Sequence, residues 1–192
     1  PLPDLSDELV DELRRAVLEP TVAELARRGV RYQGVLYAGL TLTADGPRVL
    51  EFNCRFGDPE AQAILPRMTT DLADLAWSTT EGTLAGHKVG WDPRPCVTVV
   101  LASGGYPGSY RKGLEVGGLQ EAAARPGVHL FHAGTALDPA GRVRTTGGRV
   151  LAVTALGDDL ADARARAYAA AELVRFDGMH YRRDIAAHPG GG

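Results

Sequence analysis

Apolar residues recur at helical spacing near the start of the chain. Leu9, Leu13 and Val17 are spaced four residues apart, which places them on one face of a helix. This spacing predicts a helix over residues 7–28. Pro20 falls inside it, and proline lacks the N–H group that a helix interior uses. We therefore expect the helix to kink at Pro20 or a second helix to begin there.

Strand-like alternation follows, interrupted by a turn. Residues 34–43 are predicted to form one strand, and residues 48–53 are predicted to form a second. Between them, the dipeptide Asp45-Gly46 is a strong signal for a tight hairpin turn. The pattern therefore predicts a β-hairpin.

The remainder of the chain changes pattern near residue 81. Residues 81–95 lose periodicity and collect Gly and Pro, which is typical of a linker. We expect four segments: residues 1–80, the linker 81–95, a small strand-rich domain at 96–187 and a disordered tail at 188–192. The elements predicted for the third segment are strands 96–103, 128–133 and 149–156, a helix capped by Gly157-Asp158 that reaches residue 175, and a final strand at 179–185.

Composition excludes several classes of function. The 192-residue chain carries 21 Lys and Arg against 24 Asp and Glu, a formal net charge of −3. This balance gives no reason to expect nucleic-acid binding through bulk charge. No run of about 18 apolar residues occurs, so no membrane-spanning helix is predicted. Two cysteines are too few for a disulfide scaffold, and no signal peptide is recognised, so we expect a cytoplasmic protein.

The second predicted strand carries candidate metal ligands. Regular alternation would place Val49, Glu51 and Asn53 on one face, and Leu50 and Phe52 on the other. A carboxylate and an amide carbonyl are hard oxygen ligands suited to Mg²⁺, which usually keeps waters and also binds substrate phosphates. Two protein ligands are therefore sufficient. The spacing is common, however, and a strand with its polar residues in solvent is its more frequent explanation.

Arg55 and the residues after it are further candidates. Arg55 would lie on the same face if the strand continued, where a guanidinium can hold a phosphate or carboxylate through two hydrogen bonds. Asp58 followed by Pro59 indicates a helix start, with Asp58 as the cap and Pro59 at the first helical position. The Asp58 carboxylate is also a ready partner for an amine. A plain helix cap explains the pair whatever the function.

These local signals combine into a family resemblance. The stretch from residue 32 to 68 reads YQGVLYAGLTLTADGPRVLEFNCRFGDPEAQAILPRM, and it closely resembles the phosphoribosylamine–glycine ligase family. The resemblance continues through CVTVVLASGGYPGSYRKG at 96–113, TTGGRVLAVTALGDDLADARARAY at 145–168 and HYRRDI at 180–185. Its most specific part is the run RFGDPE directly after EFNC.

The resemblance implies an ATP-grasp ligase with an α+β fold. The chain would comprise the C-terminal part of an ATP-grasp domain, with antiparallel strands and packed helices, followed by the small strand-rich domain. Enzymes of this family use ATP to phosphorylate the carboxylate of glycine, and the amine of 5-phosphoribosylamine then attacks the acyl phosphate. The products are glycinamide ribonucleotide, ADP and phosphate, in de novo purine biosynthesis. The implied cofactors are ATP and Mg²⁺ or Mn²⁺.

The resemblance also assigns roles to residues. The metal ligands of the family fall on Glu51 and Asn53, in agreement with the strand geometry. Arg55 matches the arginine that usually faces the phosphate or acyl phosphate, which implies a catalytic and substrate-binding role. Asp58 and Pro59 lie in the family signature and are expected to line the substrate pocket.

Two leucines are candidate nucleotide contacts by the same resemblance. Leu40 and Leu50 would touch adenine, although regular alternation puts Leu50 on the face opposite Glu51. Many ATP-grasp enzymes carry an additional carboxylate shortly before the glutamate of the metal pair. Here that region is residues 37–39, which contain no acid.

The resemblance covers only the C-terminal half of the family's polypeptide. Family members begin with a nucleotide-fold domain and the first part of the ATP-grasp region, whose basic residues grip the ATP phosphates. The missing N-terminal half, in cis or in trans, is therefore an expected partner beside ATP, glycine and 5-phosphoribosylamine; no nucleic-acid or membrane partner is expected. The alternative is a non-catalytic fragment or interaction module that needs a separate N-terminal half for any activity.

Overall fold

The computed structural model describes residues 5–187, which divide into two units. Residues 5–61 and Met68–Asp92 belong to the first unit, and Gln62–Arg67 with residues 93–187 belong to the second. The strands of every described sheet pair antiparallel, which confirms the predicted α+β fold. Along this part of the chain, the helices are too short or too polar to cross a lipid bilayer. The predicted disordered tail lies outside the described residues.

The first unit begins with a long helical segment. α1 (Asp7–Leu13), a π-helical turn (Arg14–Leu18) and α2 (Glu19–Arg27) follow one another without a break. Pro20 lies in the first turn of α2, where its missing N–H removes one donor from the helical hydrogen-bond pattern. The hydrogen-bond pattern changes from the π-helical turn to α2 at Glu19, one residue before Pro20, so a new helical element begins there as predicted while the helical backbone continues.

A β-hairpin follows, as predicted. β1 (Tyr37–Thr43) and β2 (Gly46–Asn53) pair antiparallel and are joined by the two-residue turn 44–45. Gly46 adopts a φ of 94° at the end of this turn, a conformation that glycine reaches without steric cost. Local sequence therefore accounts for the hairpin.

The hairpin contains a β-bulge that the alternating pattern does not predict. Gly39 pairs with Glu51, whereas the next residue, Leu40, pairs with Val49, so Leu50 is an extra residue on β2. Directly paired residues point to the same face, and β1 alternates regularly. Val49 therefore lies on the face opposite Glu51, and the predicted common face of these two residues is wrong.

Short helical elements follow the hairpin in sequence. They are α3 (Ala61–Ile64) and α4 (Leu72–Glu81). After α4 the chain returns, and Trp91 forms an isolated antiparallel bridge with Met68. Backbone pairing therefore ties this part of the predicted linker 81–95 to the first unit.

Besides most of α3, the second unit contains a three-stranded sheet, a short hairpin and two further helices. In chain order these elements are β3 (Cys96–Ala102), α5 (Leu119–Ala123), β4 (Val128–His132), β5 (Thr135–Leu137), β6 (Val143–Thr145), β7 (Arg149–Leu156) and α6 (Leu160–Ala171). β7 is the central strand and pairs with β3 and β4, while β5 and β6 form the hairpin. Three of the four strands predicted here are confirmed; α5, β5 and β6 were not predicted.

The second unit has an apolar core of its own. Val99 of β3 and Val150 and Val153 of β7 are fully buried, and so are Ala163 and Ala167 of α6. Alanine carries no side chain beyond Cβ, so these positions let α6 approach the sheet closely. Burial of this kind is the main favourable contribution to folding.

Three details of the second unit differ from the sequence prediction. Asp159 caps α6 rather than residues 157–158, because its side chain accepts a hydrogen bond from the first turn of that helix. The predicted final strand 179–185 is reduced to an isolated bridge between His180 and Ala102. α6 also ends earlier than predicted, at Ala171.

Candidate functional site

Glu51 and Asn53 lie side by side at the end of β2. Asn53 Nδ2 donates a hydrogen bond to Glu51 Oε1 at 2.8 Å, so the two side chains point the same way. Because the amide uses an N–H group in this bond, its carbonyl oxygen is left to face other partners. The predicted carboxylate–amide pair is therefore formed, with the Glu51 side chain exposed.

Residues of β1 complete the surface around this pair. Tyr37 pairs with Asn53 and Gly39 pairs with Glu51; we call these four residues together with Thr41 the Glu51 face. A Cβ atom on Gly39 would lie 3.2 Å from Glu51 Cγ and 3.7 Å from Cε1 of Tyr37. Glycine at this position leaves room for the Glu51 side chain, whereas the distance to Tyr37 would be an ordinary contact. As the sequence predicts, β1 supplies no acid opposite Glu51.

Glu60 approaches the Glu51 face from the turn that follows β2. Its carboxylate accepts a hydrogen bond from the Tyr37 hydroxyl. Burial raises the pKa of Tyr37 above its ordinary value, and the negative charges of Glu60 and Glu51 raise it further because they disfavour the phenolate. A Cβ atom on Gly57 would collide with the Glu60 carboxylate, so glycine there makes room for this side chain.

The strand geometry that would place Arg55 on the Glu51 face is not formed. β2 ends at Asn53, so the strand does not continue to Arg55 as the prediction required. Instead, the Arg55 guanidinium donates a hydrogen bond from Nη1 to the carbonyl oxygen of Phe56 at 2.7 Å. The side chain is exposed and makes this contact within its own local segment.

Asp58 and Pro59 belong to a turn rather than to a helix start. Residues 58–60 form the turn, and the Asp58–Pro59 peptide is cis. α3 begins only at Ala61, whose backbone N–H donates to the carbonyl oxygen of Gly57 at 2.9 Å. The prediction that Asp58 caps a helix with Pro59 at its first position is therefore wrong.

The two leucines proposed for adenine take different positions. Leu50 is the bulged residue and is 70% exposed. Since the bulge interrupts alternation, the expectation that Leu50 lies opposite Glu51 loses its basis. Leu40 pairs with Val49 on the other face of the hairpin, so the structure does not bring it together with the metal-ligand pair.

The donor set of Glu51 and Asn53 suits a divalent cation that also binds phosphate. Both side chains offer hard oxygen atoms, which Mg²⁺ prefers. No group of three His, Cys, Asp or Glu side chains converges on a possible metal position within residues 5–187. An ion at Glu51 and Asn53 would need further ligands, and Mg²⁺ usually completes its shell with water and substrate phosphates. The residues present fit this ion.

Tyr37 and Glu60 are parts of the site that the sequence did not reveal. Pairing counted outward from the hairpin turn would place Tyr37 opposite Phe52, and only the bulge moves Asn53 there instead. The position of Glu60 depends on the turn 58–60, for which a helix was predicted. Both residues therefore reach the site through irregular backbone that periodicity does not describe.

Two family models match the chain. Residues 1–61 match the model described as phosphoribosylglycinamide synthetase, ATP-grasp (A) domain. Residues 96–188 match the model described as phosphoribosylglycinamide synthetase, C domain. Glu51 and Asn53 lie in the first matched stretch.

Curated relatives are similar over almost the whole chain. Phosphoribosylamine–glycine ligase of Caldanaerobacter subterraneus subsp. tengcongensis is 46% identical over 187 residues, which cover 97% of this chain and 44% of the relative. The protein of the same name from Synechocystis sp. is 51% identical over 189 residues, with 96% and 44% covered. Human trifunctional purine biosynthetic protein adenosine-3 is 47% identical over 186 residues, with 96% and 18% covered. The chain thus spans less than half the length of these relatives.

Solved structures agree with the sequence comparison. The crystal structure of phosphoribosylamine–glycine ligase from Thermotoga maritima superposes with a TM-score of 0.78 at 32% identity, covering 95% of this chain and 44% of that protein. N5-carboxyaminoimidazole ribonucleotide synthetase from the same organism superposes with a TM-score of 0.57 at 16% identity, covering 90% and 44%. The second likeness is one of fold alone.

Proposed function

Because the chain belongs to the phosphoribosylamine–glycine ligase family, we propose that it forms the C-terminal part of an ATP-dependent ligase that joins glycine to 5-phosphoribosylamine. A carboxylate oxygen of glycine attacks the γ-phosphorus of ATP, and the bond to ADP breaks to give glycyl phosphate. The amine of 5-phosphoribosylamine then attacks the glycyl carbonyl, loses a proton and expels phosphate. The products are glycinamide ribonucleotide, ADP and phosphate.

The observation that carries this proposal is the hydrogen-bonded pair of Glu51 and Asn53. Their oxygen atoms share one exposed face at the end of β2, within the stretch that matches the ATP-grasp domain. Phosphoryl transfer depends mainly on positioning and on neutralising charge at the phosphate oxygens. A pair of hard oxygen ligands at a strand end is suited to that requirement.

Glu51 and Asn53 would hold the Mg²⁺ or Mn²⁺ that accompanies ATP. When bound, this ion neutralises negative charge on the transferring phosphoryl group and its leaving oxygen. The protein's own contribution is to hold the two ligand oxygens in position. The register with β1 and the hydrogen bond between the two side chains fix both oxygens in one direction before the nucleotide arrives.

The remaining candidate residues keep proposed roles. Arg55 is exposed, so its guanidinium is proposed to exchange the Phe56 carbonyl for a phosphate or acyl phosphate oxygen, to which it can donate two hydrogen bonds. The turn with Asp58 and Pro59 is proposed to line the substrate pocket. Leu50 is proposed to touch adenine, whereas Leu40 would do so only for a nucleotide on the opposite face of the hairpin.

The proposed activity requires the N-terminal half of the ligase, in cis or in trans. The chain spans 44% of the length of its first two relatives. The sheet of β1 and β2 has two strands among the described residues, and an isolated hairpin is only marginally stable in water. Leu42, Val49 and Phe52 of this hairpin are exposed. We propose that the N-terminal half covers these apolar side chains and completes the ATP site, in the cytoplasm.

The test is ADP release from ATP, Mg²⁺, glycine and 5-phosphoribosylamine. It is measured for this chain alone, for the N-terminal half of a family member alone and for the two mixed. We expect turnover only in the mixture, and only with both glycine and 5-phosphoribosylamine present. Omission of either substrate is the control for uncoupled ATP hydrolysis.

Failure of the mixture to turn over, with binding between the two halves demonstrated by size-exclusion chromatography, would contradict the proposed activity. That result would favour the non-catalytic interaction module. Turnover with an amine other than 5-phosphoribosylamine would place the chain with another amine ligase.

A further inference from the structure

The Glu51 face has a second carboxylate close to it, in addition to the one in the metal-ligand pair. Glu51 belongs to β2, whereas Glu60 arrives from the turn after it and is held by the Tyr37 hydroxyl. Like charges brought to one surface repel each other, and the repulsion weakens the fold unless a cation offsets it. The position of Glu60 therefore calls for an explanation beyond local structure.

Glycines stand beside both acidic side chains. Gly39 is paired with Glu51, and a Cβ atom there would crowd Glu51 Cγ at 3.2 Å while lying in ordinary contact with Cε1 of Tyr37 at 3.7 Å. Gly57 leaves space that the Glu60 carboxylate enters. The Tyr37 hydroxyl donates its hydrogen bond to Glu60, and the Tyr37 side chain is close enough to feel the charges of both Glu60 and Glu51.

The opposite strand contributes no acid of its own. Gly39 is the β1 residue paired with Glu51, so a second carboxylate on this face has to come from outside the hairpin. Glu60 is the acidic side chain that the turn 58–60 delivers to Tyr37, which itself pairs with Asn53. Glu60 and Tyr37 therefore join the Glu51–Asn53 pair, although they are not adjacent to it in the sequence.

We propose that Glu60 is a further oxygen ligand of the divalent cation held by Glu51 and Asn53, directly or through one bound water, and that Tyr37 is a positioning residue that acts through Glu60. The proposal rests on the proposed function, which supplies the cation. Mg²⁺ and Mn²⁺ accept carboxylate oxygens and often retain waters that bridge to nearby acids. Partners behind the direct ligands commonly tune metal affinity.

Metal binding by the full chain tests this without any turnover. The probe is Mn²⁺ alone, and the free ion is followed by electron paramagnetic resonance as protein is added. The variants are Glu51→Gln, Glu60→Gln, Tyr37→Phe and the double variant Glu60→Gln/Tyr37→Phe. Glu81→Gln, an exposed acid at the end of α4 in the same unit, is the matched control.

We expect Glu60→Gln to weaken Mn²⁺ binding about tenfold, and Tyr37→Phe to weaken it about threefold. Glu51→Gln should weaken it most, and Glu81→Gln should leave it unchanged. Because Tyr37 acts through Glu60, adding Tyr37→Phe to Glu60→Gln should cause no further loss. Glutamine still accepts the tyrosine hydrogen bond, so Glu60→Gln removes the charge and keeps the contact.

Tryptophan fluorescence shows whether the variants keep their fold, because Trp77 and Trp91 both lie in the first unit. With fluorescence unchanged, a Glu60→Gln affinity within twofold of the unsubstituted chain would overturn the proposal. An equal Tyr37→Phe effect with and without Glu60 would overturn the positioning role. If Glu51→Gln also had no effect, or the unsubstituted chain bound no Mn²⁺, the metal assignment of the proposed function would fail as well.

Discussion

β2 and β7 are strands of equal length with opposite environments. Each has 8 residues, but none of those in β2 is buried, whereas all of those in β7 except Arg149 are. β7 pairs with a strand on each side and belongs to the apolar core, while β2 pairs with β1 alone among the described residues. The candidate chemistry lies on β2.

The difference shows that fold and chemistry are supported by different physical means. The β7 side chains are held by tertiary packing, which is cooperative and tolerates little change in volume. The Glu51 face is held by strand register, one bulge and hydrogen bonds between exposed side chains. Regions with few buried contacts open with low free energy, so the site has less support from the core than β7 has.

The largest expected difference is in stability, between a leucine truncated in the core around β7 and one truncated in β2. Leu101 of β3, which is fully buried beside β7, is compared with Leu50 of β2, which is 70% exposed. Leu101→Ala should lower the free energy of unfolding by about 3 kcal/mol, because it removes buried methyl groups and leaves a cavity. Leu50→Ala should cost less than about 0.5 kcal/mol.

Urea unfolding measures both effects in the full chain. Far-UV circular dichroism follows Leu101→Ala, and tryptophan fluorescence follows Leu50→Ala because both tryptophans lie in the first unit. Equal losses for the two variants would contradict the contrast in burial.

Removal of the Glu51 charge should affect chemistry without affecting the core. In the mixture with the N-terminal half, Glu51→Gln should lower ADP release at least about 10²-fold through loss of metal neutralisation. Circular dichroism of the second unit should be unchanged. Glu81→Gln serves as the control, and near-normal turnover of Glu51→Gln at saturating Mg²⁺ would exclude Glu51 as an essential ligand.

Alanine substitution of two glycines with nearly the same positive φ separates the cost of close packing from the cost of backbone strain. Gly118 in the second unit has a φ of 77° and Gly29 in the first has a φ of 75°. A Cβ atom on Gly118 would collide with the Leu173 carbonyl oxygen, whereas one on Gly29 would meet nothing within 4 Å. Gly29→Ala should cost about 1 kcal/mol and Gly118→Ala at least about 2 kcal/mol, measured by urea unfolding.

Gly29→Ala is the control for the conformational cost of a positive φ. Since both substitutions carry the same cost for a positive φ, the difference between them measures close packing alone. A Gly29→Ala cost equal to that of Gly118→Ala would mean that the first unit is packed as tightly as the second.

The smallest effect is expected from a charged turn in the second unit. Hydrogen bonds lower the pKa of Asp138 from 3.8 to about 2, and the backbone N–H of Arg142 contributes most; the side chains of Arg144 and Arg142 and the Ala140 N–H also lower it, while partial burial opposes them. A carboxyl with a depressed pKa stabilises the fold above its unfolded pKa. That stabilisation is lost as the pH falls from about 4 to about 2.

Asp138→Asn should therefore remove part of the acid dependence of unfolding. The difference in urea midpoint between the unsubstituted chain and Asp138→Asn should be constant above pH 5 and should shrink as the pH falls through the Asp138 pKa. A difference that persists unchanged at pH 2 would show that the carboxylate charge plays no part in this turn.

Local sequence predicted the elements that depend on periodicity and turn chemistry. The Asp-Gly dipeptide and the flanking alternation specify the hairpin, and the apolar run at 149–156 specifies β7. The side-by-side orientation of Glu51 and Asn53 follows from alternation over two residues on the same side of the bulge. These features need no knowledge of distant contacts.

The sequence could not predict features set by irregular backbone. The bulge at Leu50 reverses the face of Val49 and brings Tyr37 opposite Asn53, and no periodic pattern encodes it. The turn 58–60 replaces a helix start that Asp-Pro ordinarily favours, and this turn places Glu60. The cap of α6 is Asp159 rather than the predicted Gly157-Asp158, because the sequence offers two neighbouring acids for the position and does not say which one caps the helix.

Hydrogen exchange of β2 and β7 is the decisive measurement for the proposal that the candidate chemistry lies in a unit that needs a partner, whereas the second unit needs none. It is measured for this chain alone and mixed with the N-terminal half of a family member. We expect β2 amides to exchange at least about 10²-fold faster than β7 amides in the chain alone, and to slow markedly in the mixture while β7 exchange stays unchanged. Equal protection of β2 and β7 in the isolated chain, or β2 exchange unaffected in a mixture that turns over ATP, would contradict it.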